Sequence, residues 1–197
     1  MISNQYKGID LTFDKRVQKN TISHKFKIDL IDTFDSPKWK RNCSIIEVSC
    51  YKGFTTNILS KLFNNVFAVD INREFVKEAK KFNSNQKNIE YFEGDVYRKE
   101  KWDGLPLANV VFIDCIHTYE SVMSDLEESI KHIEGDDGFI VLDDYGLFTE
   151  VKKAVNEFIN KNSQITFAKF LGEPKGSTCR VGKVLLDYEG IMLKYKK

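Results

Sequence analysis

An aspartate and a histidine stand three residues apart directly after a strongly apolar stretch of the chain. Residues 110–113 are Val-Val-Phe-Ile, and Asp114 and His117 follow them. An unbroken run of β-prone apolar residues is typical of a strand buried on both faces, as in the middle of a parallel sheet. Because ligands of open α/β sheets bind beyond the carboxyl ends of the strands, we predict that Asp114 and His117 lie at a functional site. The alternative is a strand that simply ends in a helix-capping aspartate.

His117 is the first candidate for acid–base chemistry. A neutral imidazole accepts a proton near pH 7 and can therefore activate a hydroxyl group that is otherwise a poor nucleophile. Asp114 lies three residues earlier, so both side chains fall on one side if the chain turns helical at this point. A helix-capping or surface histidine is the competing interpretation.

A second set of polar residues belongs to the first predicted strand, 44–49, and the turn after it. Glu47 lies within the strand. Gly53 lies in the turn before a helix, where a backbone can approach a ligand closely and the helix amides are free to bind it. Ser49 and Tyr51 occupy positions where a G-x-G-x-G loop would have glycine. The segment indicates a nucleoside-binding turn, with an ordinary strand-to-helix connection as the alternative.

Acidic residues end the next two predicted strands in an order that suits a nucleoside. Asp70 ends strand 66–70, where a carboxylate can accept hydrogen bonds from both hydroxyls of a ribose. Asp95 follows strand 89–92, where an acid can reach an adenine amino group. A nicotinamide enzyme also uses an acid at the position of Asp70. The negative charge of Glu47, however, would repel a pyrophosphate and suits an amino-acid ammonium, which favours S-adenosylmethionine.

The elements that position these residues alternate between strand and helix patterns. Strands joined by helices imply a parallel sheet with right-handed crossovers. A helical pattern begins at Thr21 and is stopped by Ser36-Pro37, and residues 1–20 are interpreted as loop. We predict an α/β, Rossmann-like, doubly wound fold with a mostly parallel seven-stranded sheet and an antiparallel C-terminal hairpin. The predicted strands are 44–49, 66–70, 89–92, 109–114, 139–142, 165–171 and 180–186, with a hairpin-like tail at 190–195.

Composition favours a single soluble domain without a nucleic-acid or membrane partner. The 197 residues include 30 basic and 29 acidic side chains, so the net charge of +1 gives no basic excess for a phosphate backbone. No apolar run approaches the roughly 18 residues that cross a bilayer, and the N-terminus lacks a signal-peptide core. The four cysteines form no CxxC pair, which favours a reducing compartment. We expect one cytoplasmic domain, with an arm and helix over 1–36 and the core over 37–197; a homo-oligomer is left open.

Five motifs in chain order carry a resemblance to a known family. They are Glu47-Val-Ser-Cys-Tyr-Lys-Gly53, Val-Asp70, Glu-Gly-Asp95, Ile-Asp114-Cys-Ile-His117-Thr-Tyr119-Glu and Val-Leu-Asp143-Asp144-Tyr145-Gly. Through them, residues 40–187 resemble the class I S-adenosylmethionine-dependent methyltransferases, and within these the small-molecule O-methyltransferases that include the macrocin-type sugar enzymes. The resemblance implies that the cofactor is held by Glu47, Ser49, Gly53, Thr55, Asp70, Ile71, Asp95, Val96 and Asp114.

The same resemblance implies a divalent metal, Mg²⁺ or Mn²⁺, on Asp114, Asp143 and Asp144. Carboxylate oxygens suit a hard octahedral ion that keeps waters or takes a substrate hydroxyl. Adjacent residues of an extended strand point to opposite faces, so Asp143 and Asp144 reach one ion only if the strand breaks between them. Tyr145-Gly146 directly afterwards favours such a break. In the alternative, Asp144 caps the following helix and only Asp143 points inward.

The residues and the resemblance together predict metal-assisted methyl transfer to a hydroxyl of a small molecule, preferably a sugar or glycan. His117 is the predicted general base, and Asp114 contributes through the ion. The alternatives are a metal-independent small-molecule methyltransferase, a non-catalytic module that binds the same cofactor, and a nicotinamide dehydrogenase. A nucleic-acid base methyltransferase is disfavoured, because Asp114-Cys-Ile-His117 differs from the Asn/Asp-Pro-Pro-Tyr/Phe motif that clamps a flipped base.

Overall fold

The computed structural model describes residues 5–11, 21–95, 102–114, 116–174 and 186–197, and it places seven strands in one sheet. The strands are β1 (Gln5–Tyr6), β2 (Ile9–Asp10), β3 (Ser44–Val48), β4 (Asn65–Asp70), β5 (Ile89–Glu93), β6 (Val110–Ile113), β7 (Asp137–Leu142), β8 (Ile165–Leu171) and β9 (Gly190–Lys196). The helices are α1 (His24–Phe34), α2 (Pro37–Asn42), α3 (Phe54–Leu62), α4 (Arg73–Phe82), α5 (Tyr119–His132) and α6 (Thr149–Lys161). None of the helices within these ranges combines the length and the apolar character needed to span a bilayer.

The sheet has the strand order β5-β4-β3-β6-β7-β9-β8. Strands β3 to β7 pair in parallel, whereas β9 runs antiparallel to both of its neighbours. The predicted Rossmann-like fold with an antiparallel C-terminal pair is thereby confirmed. β3 and β6 are neighbours although β4 and β5 lie between them in the chain, so the order reverses at this pair. Ligands of open α/β sheets bind at such a reversal.

Strand β6 is buried on both faces, as its unbroken apolar sequence predicts. Val111 and Ile113 belong to the core on the side of α5 and α6, while Val110 and Phe112 belong to the core on the side of α1 and α3. Phe26 of α1 meets Phe112 edge-on, with ring centroids 6.0 Å apart. This two-sided packing fixes the strand, and with it the position of Asp114 at its carboxyl end.

The N-terminal segment departs from the prediction in three places. The first helix begins at His24 rather than Thr21, because the Ser23 hydroxyl caps it by accepting a hydrogen bond from the Phe26 amide at 3.0 Å. α1 ends before Ser36-Pro37 as predicted, but Pro37 then opens α2, since the first helical position does not need a peptide N–H. Within the predicted loop 1–20, the described residues form the small antiparallel pair β1–β2.

The C-terminal part of the sheet contains a pairing that the sequence did not predict. β8 pairs with β9, the segment interpreted from sequence as a tail, and β9 lies between β7 and β8. Residues 180–185 of the predicted strand 180–186 lie outside the described residues, and Leu186 is not in a strand. Most of β9 is buried, which matches its position inside the sheet rather than at an edge.

Candidate active site

A cavity opens where the sheet reverses its strand order. Two walls come from the turn after β3 and from the end of β6, and a third comes from the segment ahead of α1. The cavity thus lies at the edge of the sheet that the sequence indicated. Its lining residues are Thr21, Glu47, Ser49, Cys50, Tyr51, Phe54, Thr55, Phe112 and Asp114.

The turn after β3 keeps the backbone of a glycine loop without most of its glycines. Ser49, Tyr51 and Gly53 have φ angles of 70°, 48° and 80°, all in the left-handed region. Glycine adopts such angles freely, whereas the left-handed conformation costs an L-residue about 1–2 kcal/mol. The two departures from the glycine pattern therefore leave the shape of the turn intact. Strained residues of this kind persist where the turn serves a ligand.

Gly53 is required for close packing as well as for its φ angle. A Cβ at this position would lie 2.5 Å from Nδ2 of Asn83 and 2.9 Å from Cβ of Ala79 on α4. The Asn83 amide donates a hydrogen bond to the Gly53 carbonyl at 2.9 Å, and Asn57 of α3 donates to Asn83 at 2.7 Å. This contact fixes the first turn of α3, from which Phe54 and Thr55 line the cavity.

Asp70 is held at the end of β4 with both carboxylate oxygens oriented by the backbone. One oxygen accepts the Tyr51 amide and the other accepts the Asn72 amide, each at 2.8 Å. Each oxygen can accept a further bond, which suits a pair of vicinal hydroxyls. Burial raises the pKa of Asp70, and the two amides counteract that rise. Beside it, the Ile71 side chain is 62% exposed and offers an apolar face.

Asp95 follows β5 at the neighbouring strand end and is half-buried. The Gly94 amide donates to the Asp70 carbonyl at 3.1 Å, so the ends of β4 and β5 are tied together. Asp70, Ile71 and Asp95 therefore follow adjacent strands, as the sequence predicted. Val96, the remaining predicted contact, lies outside the described residues.

Glu47 places a carboxyl group at the floor of the cavity in the middle of the sheet. It is 1% exposed. Burial raises its pKa to about 8, with the Thr56 hydroxyl opposing that rise and the charges of Asp114 and Asp70 adding to it. A buried acid among other acids is electrostatically complementary to a cation. The cavity floor therefore suits an ammonium group far better than a pyrophosphate.

Asp114, His117 and Asp144 converge beside the cavity. One possible ligand atom from each lies within 4.8 Å of the other two. Nε2 of His117 lies 2.6 Å from Oδ2 of Asp144, which is 1% exposed. The imidazole also stacks on Phe148, with ring centroids 4.1 Å apart and an interplanar angle of 11°. The capping alternative for His117 is not what the structure shows, because Thr118 caps α5.

Asp143 and Asp144 take different places, and this changes the predicted ligand set. The amide of Asp143 still donates to Ile113 at 3.1 Å in sheet register, whereas Asp144 has a left-handed φ of 63°. The strand breaks at Asp144, as predicted, and the break directs that residue toward His117. Asp143 is buried but does not belong to the group that could hold an ion. Nor does Asp144 cap α6, whose capping position is Phe148.

Sequence reasoning missed several residues of the site. Thr21 and Phe112 line the cavity, and Phe148 stacks on the histidine. Phe112 lay inside a predicted strand, where core packing was a sufficient explanation for it. Thr21 and Phe148 are brought to the site by contacts distant in sequence, for which no local pattern exists.

Comparisons with known proteins agree with this fold. The model of the family described as Methyltransferase domain matches residues 46–145. Among proteins of curated function, none matches the chain. A solved O-methyltransferase from Bacillus cereus in complex with SAH has a TM-score of 0.65 at 13% identity, over 90% of this chain and 83% of that one.

Two further solved structures have other activities in their names. An rRNA methylase from Streptococcus thermophilus has a TM-score of 0.60 at 15% identity, over 89% of this chain and 98% of that one. Precorrin-6y C5,15-methyltransferase from Geobacter metallireducens has a TM-score of 0.62 at 14% identity, over 94% and 98%. At these identities the likeness shows the fold.

Proposed function

Because the chain belongs to the methyltransferase-domain family, we propose that it transfers the methyl group of S-adenosylmethionine to a hydroxyl of a small molecule, preferably a sugar. The observation that carries this proposal is the group formed by Asp114, His117 and Asp144 at the edge of the cavity. It supplies a candidate base next to the place where the fold holds a nucleoside.

The cavity fits the cofactor at three points. Glu47 suits the ammonium of the amino-acid end, the turn at Ser49–Gly53 allows close backbone approach, and Asp70 has acceptors for the ribose hydroxyls. The exposed Ile71 and the half-buried Asp95 lie where an adenine would follow. S-Adenosylmethionine supplies an electrophilic methyl group on a sulfonium centre.

His117 removes the proton of the acceptor hydroxyl in this proposal. The oxygen then forms a bond to the methyl carbon while the carbon–sulfur bond breaks, and S-adenosylhomocysteine (SAH) is left. Asp144 contacts the edge of the imidazole and Phe148 stacks on its face. These two contacts limit the rotation of the ring and keep the nitrogen that takes the proton aligned with the acceptor hydroxyl. The proton remains on the imidazole and is stabilised by the nearby carboxylate.

In a second, metal-assisted form of the proposal, Asp114, His117 and Asp144 would hold a divalent ion. A neutral imidazole has one nitrogen lone pair, so His117 would then be a ligand and the acceptor hydroxyl would lose its proton to water. Two carboxylates and one imidazole fit Mg²⁺ or Mn²⁺ in donor type. Such an ion would lower the pKa of a coordinated hydroxyl. The direct contact between His117 and Asp144 equally favours a metal-independent enzyme, in which the carboxylate alone orients the base.

Exhaustive chelation separates the two forms of the proposal. If an ion assists, methyl transfer from labelled S-adenosylmethionine to a panel of glycosides should fall at least a hundredfold with EDTA and return with Mg²⁺ or Mn²⁺. Manganese binding, followed by electron paramagnetic resonance, should weaken in Asp114→Asn. Full turnover after chelation would mean that the reaction needs no ion and that the Asp144–His117 pair is sufficient. Failure of the parent to bind SAH would reject both forms.

Glu47 makes cofactor affinity depend on pH. Its pKa of about 8 in the ligand-free protein means that it must lose a proton to receive an ammonium group. SAH affinity should therefore weaken by up to about tenfold for each pH unit below 8. Calorimetry in two buffers of different ionisation enthalpy measures the proton released. Glu47→Gln should abolish the release, whereas the exposed control Glu93→Gln should not; an affinity independent of pH in the parent would contradict the assignment.

The acceptor is proposed to be a small molecule rather than RNA, although an rRNA methylase is among the similar folds. The net charge of +1 gives little attraction for a polyanion. The preference for sugars comes from the sequence resemblance at Asp114–His117. A thermal-shift screen of glycosides against short RNAs, each with SAH present, tests the preference directly.

A further inference from the structure

Thr21 lines the cavity and lies outside both the sequence motifs and the residues that the family model matches. It precedes α1, is 8% exposed, and lines the cavity together with Glu47 and Asp114. Its hydroxyl donates to the Ile22 carbonyl and accepts from Nζ of Lys27, both at 3.4 Å. These are long bonds, so the hydroxyl can turn its hydrogen toward a ligand at small cost.

A buried positive charge stands directly behind this hydroxyl. Lys27 of α1 is 2% exposed, although lysine is almost never fully buried. Its ammonium also donates to the Leu11 carbonyl at 3.2 Å, so it joins the two described residues that flank segment 12–20. In a buried setting, the field of this charge is screened much less than that of a surface lysine.

The cavity needs a positive element because of the charges that line it. Among the lining residues that the structure describes, Glu47 and Asp114 are acidic and none is lysine, arginine or histidine. The amino-acid end of S-adenosylmethionine carries an ammonium and a carboxylate. Glu47 accounts for the ammonium, but the carboxylate would meet two acids unless a donor with positive charge behind it compensates.

Resting on the proposed use of S-adenosylmethionine, we propose that the Thr21 hydroxyl, polarised by Lys27, binds the carboxylate of the cofactor's amino-acid end. Lys27 acts as a positioning residue, since its ammonium reaches the ligand only through Thr21. The pair then complements Glu47, so that each charge of the amino-acid end meets its opposite.

A buried carboxyl group holds this wall of the cavity in place. Glu189, just before β9, accepts hydrogen bonds from the Ser23 amide at 2.8 Å and from the Ser23 hydroxyl. The same carboxylate accepts the Glu173 amide at 3.2 Å. Ser23 caps α1 and lies two residues from Thr21, so the cavity wall is fastened to the C-terminal part of the sheet. This anchoring gives Thr21 a defined position before any ligand binds.

Calorimetry with two ligands tests the assignment. SAH carries the carboxylate, whereas 5′-methylthioadenosine lacks the whole amino-acid end. Thr21→Val replaces the hydroxyl with a methyl group of similar size, and Lys27→Met removes the ammonium with its hydrogen bonds to Leu11 and Thr21 while keeping most of the length of the side chain. Each should weaken SAH binding by about tenfold or more and leave 5′-methylthioadenosine binding unchanged. The matched control is Lys25→Met, an exposed lysine on the same helix, which should change neither affinity.

Three outcomes are distinguishable. SAH affinity unchanged in Thr21→Val overturns the inference, and so does an equal loss for both ligands, which would indicate a distorted nucleoside site. If Lys27→Met fails to fold, Thr21→Val alone decides, since it buries no new charge. A parent protein that binds neither ligand would reject the proposed function instead.

Discussion

Replacing His117 with alanine is expected to lower the turnover number by a factor between about 10² and 10⁴. The imidazole is the described group best placed to take a proton, because Asp144 contacts its Nε2 at 2.6 Å and Phe148 stacks on its face. SAH affinity should stay at the parental value, since His117 does not line the cavity. Pre-steady-state methyl transfer together with calorimetric binding separates the two quantities.

Variants around the histidine refine this expectation. Phe148→Leu should lower the turnover number less than His117→Ala does, because it removes the stack but leaves the base. His24→Ala is the matched control, since His24 lies on α1 and takes no part in the site. A His117→Ala protein that turns over at the parental rate would remove this residue from the mechanism. Loss of SAH binding in the same variant would show that the change had disturbed the cofactor site instead.

The sheet was predictable from sequence because each strand carries its own local pattern. Val110–Ile113 is apolar on both faces, and this indicates a central strand without any knowledge of its partners. The strand Gly190–Lys196, which the sequence indicated only as a hairpin-like tail, shows the limit of this reasoning. Its place between β7 and β8 depends on contacts distant in sequence, for which no local pattern exists.

The site was predictable where a residue sits at a strand end, and unpredictable where the backbone turns. Asp70 ends β4 and Asp114 follows β6, so topology alone places them. The choice between Asp143 and Asp144 depends on the left-handed φ angle of Asp144. The presence of an aspartate in the sequence does not predict such an angle. Ser49 and Tyr51 present the same difficulty, because the turn holds them in a conformation that their residue types disfavour.

Asp125 is an acid that lies away from the cavity, and its burial affects the stability of the protein. It is fully buried on α5, and neither carboxylate oxygen has a hydrogen-bond partner in the structure of the described residues. Burial raises its pKa to about 7. An ionised carboxylate in such a position is strongly disfavoured, so the folded protein holds the proton more tightly than the unfolded chain does. Stability is therefore linked to the protonation of this single residue.

The stability of the parent protein should consequently fall as the pH rises from about 4 to about 7 through this group. The unfolded chain releases the proton near the usual pKa of 3.8 and the folded protein near 7, so the loss approaches roughly 4 kcal/mol above the higher value. Asp125→Asn cannot titrate. The difference in unfolding free energy between variant and parent should therefore move in favour of the variant by that amount between pH 4 and pH 8. Urea denaturation across this range measures it, with the exposed Asp103→Asn as the control. A difference that stays constant with pH would mean that Asp125 has the same pKa in the folded protein and in the unfolded chain, which contradicts the linkage.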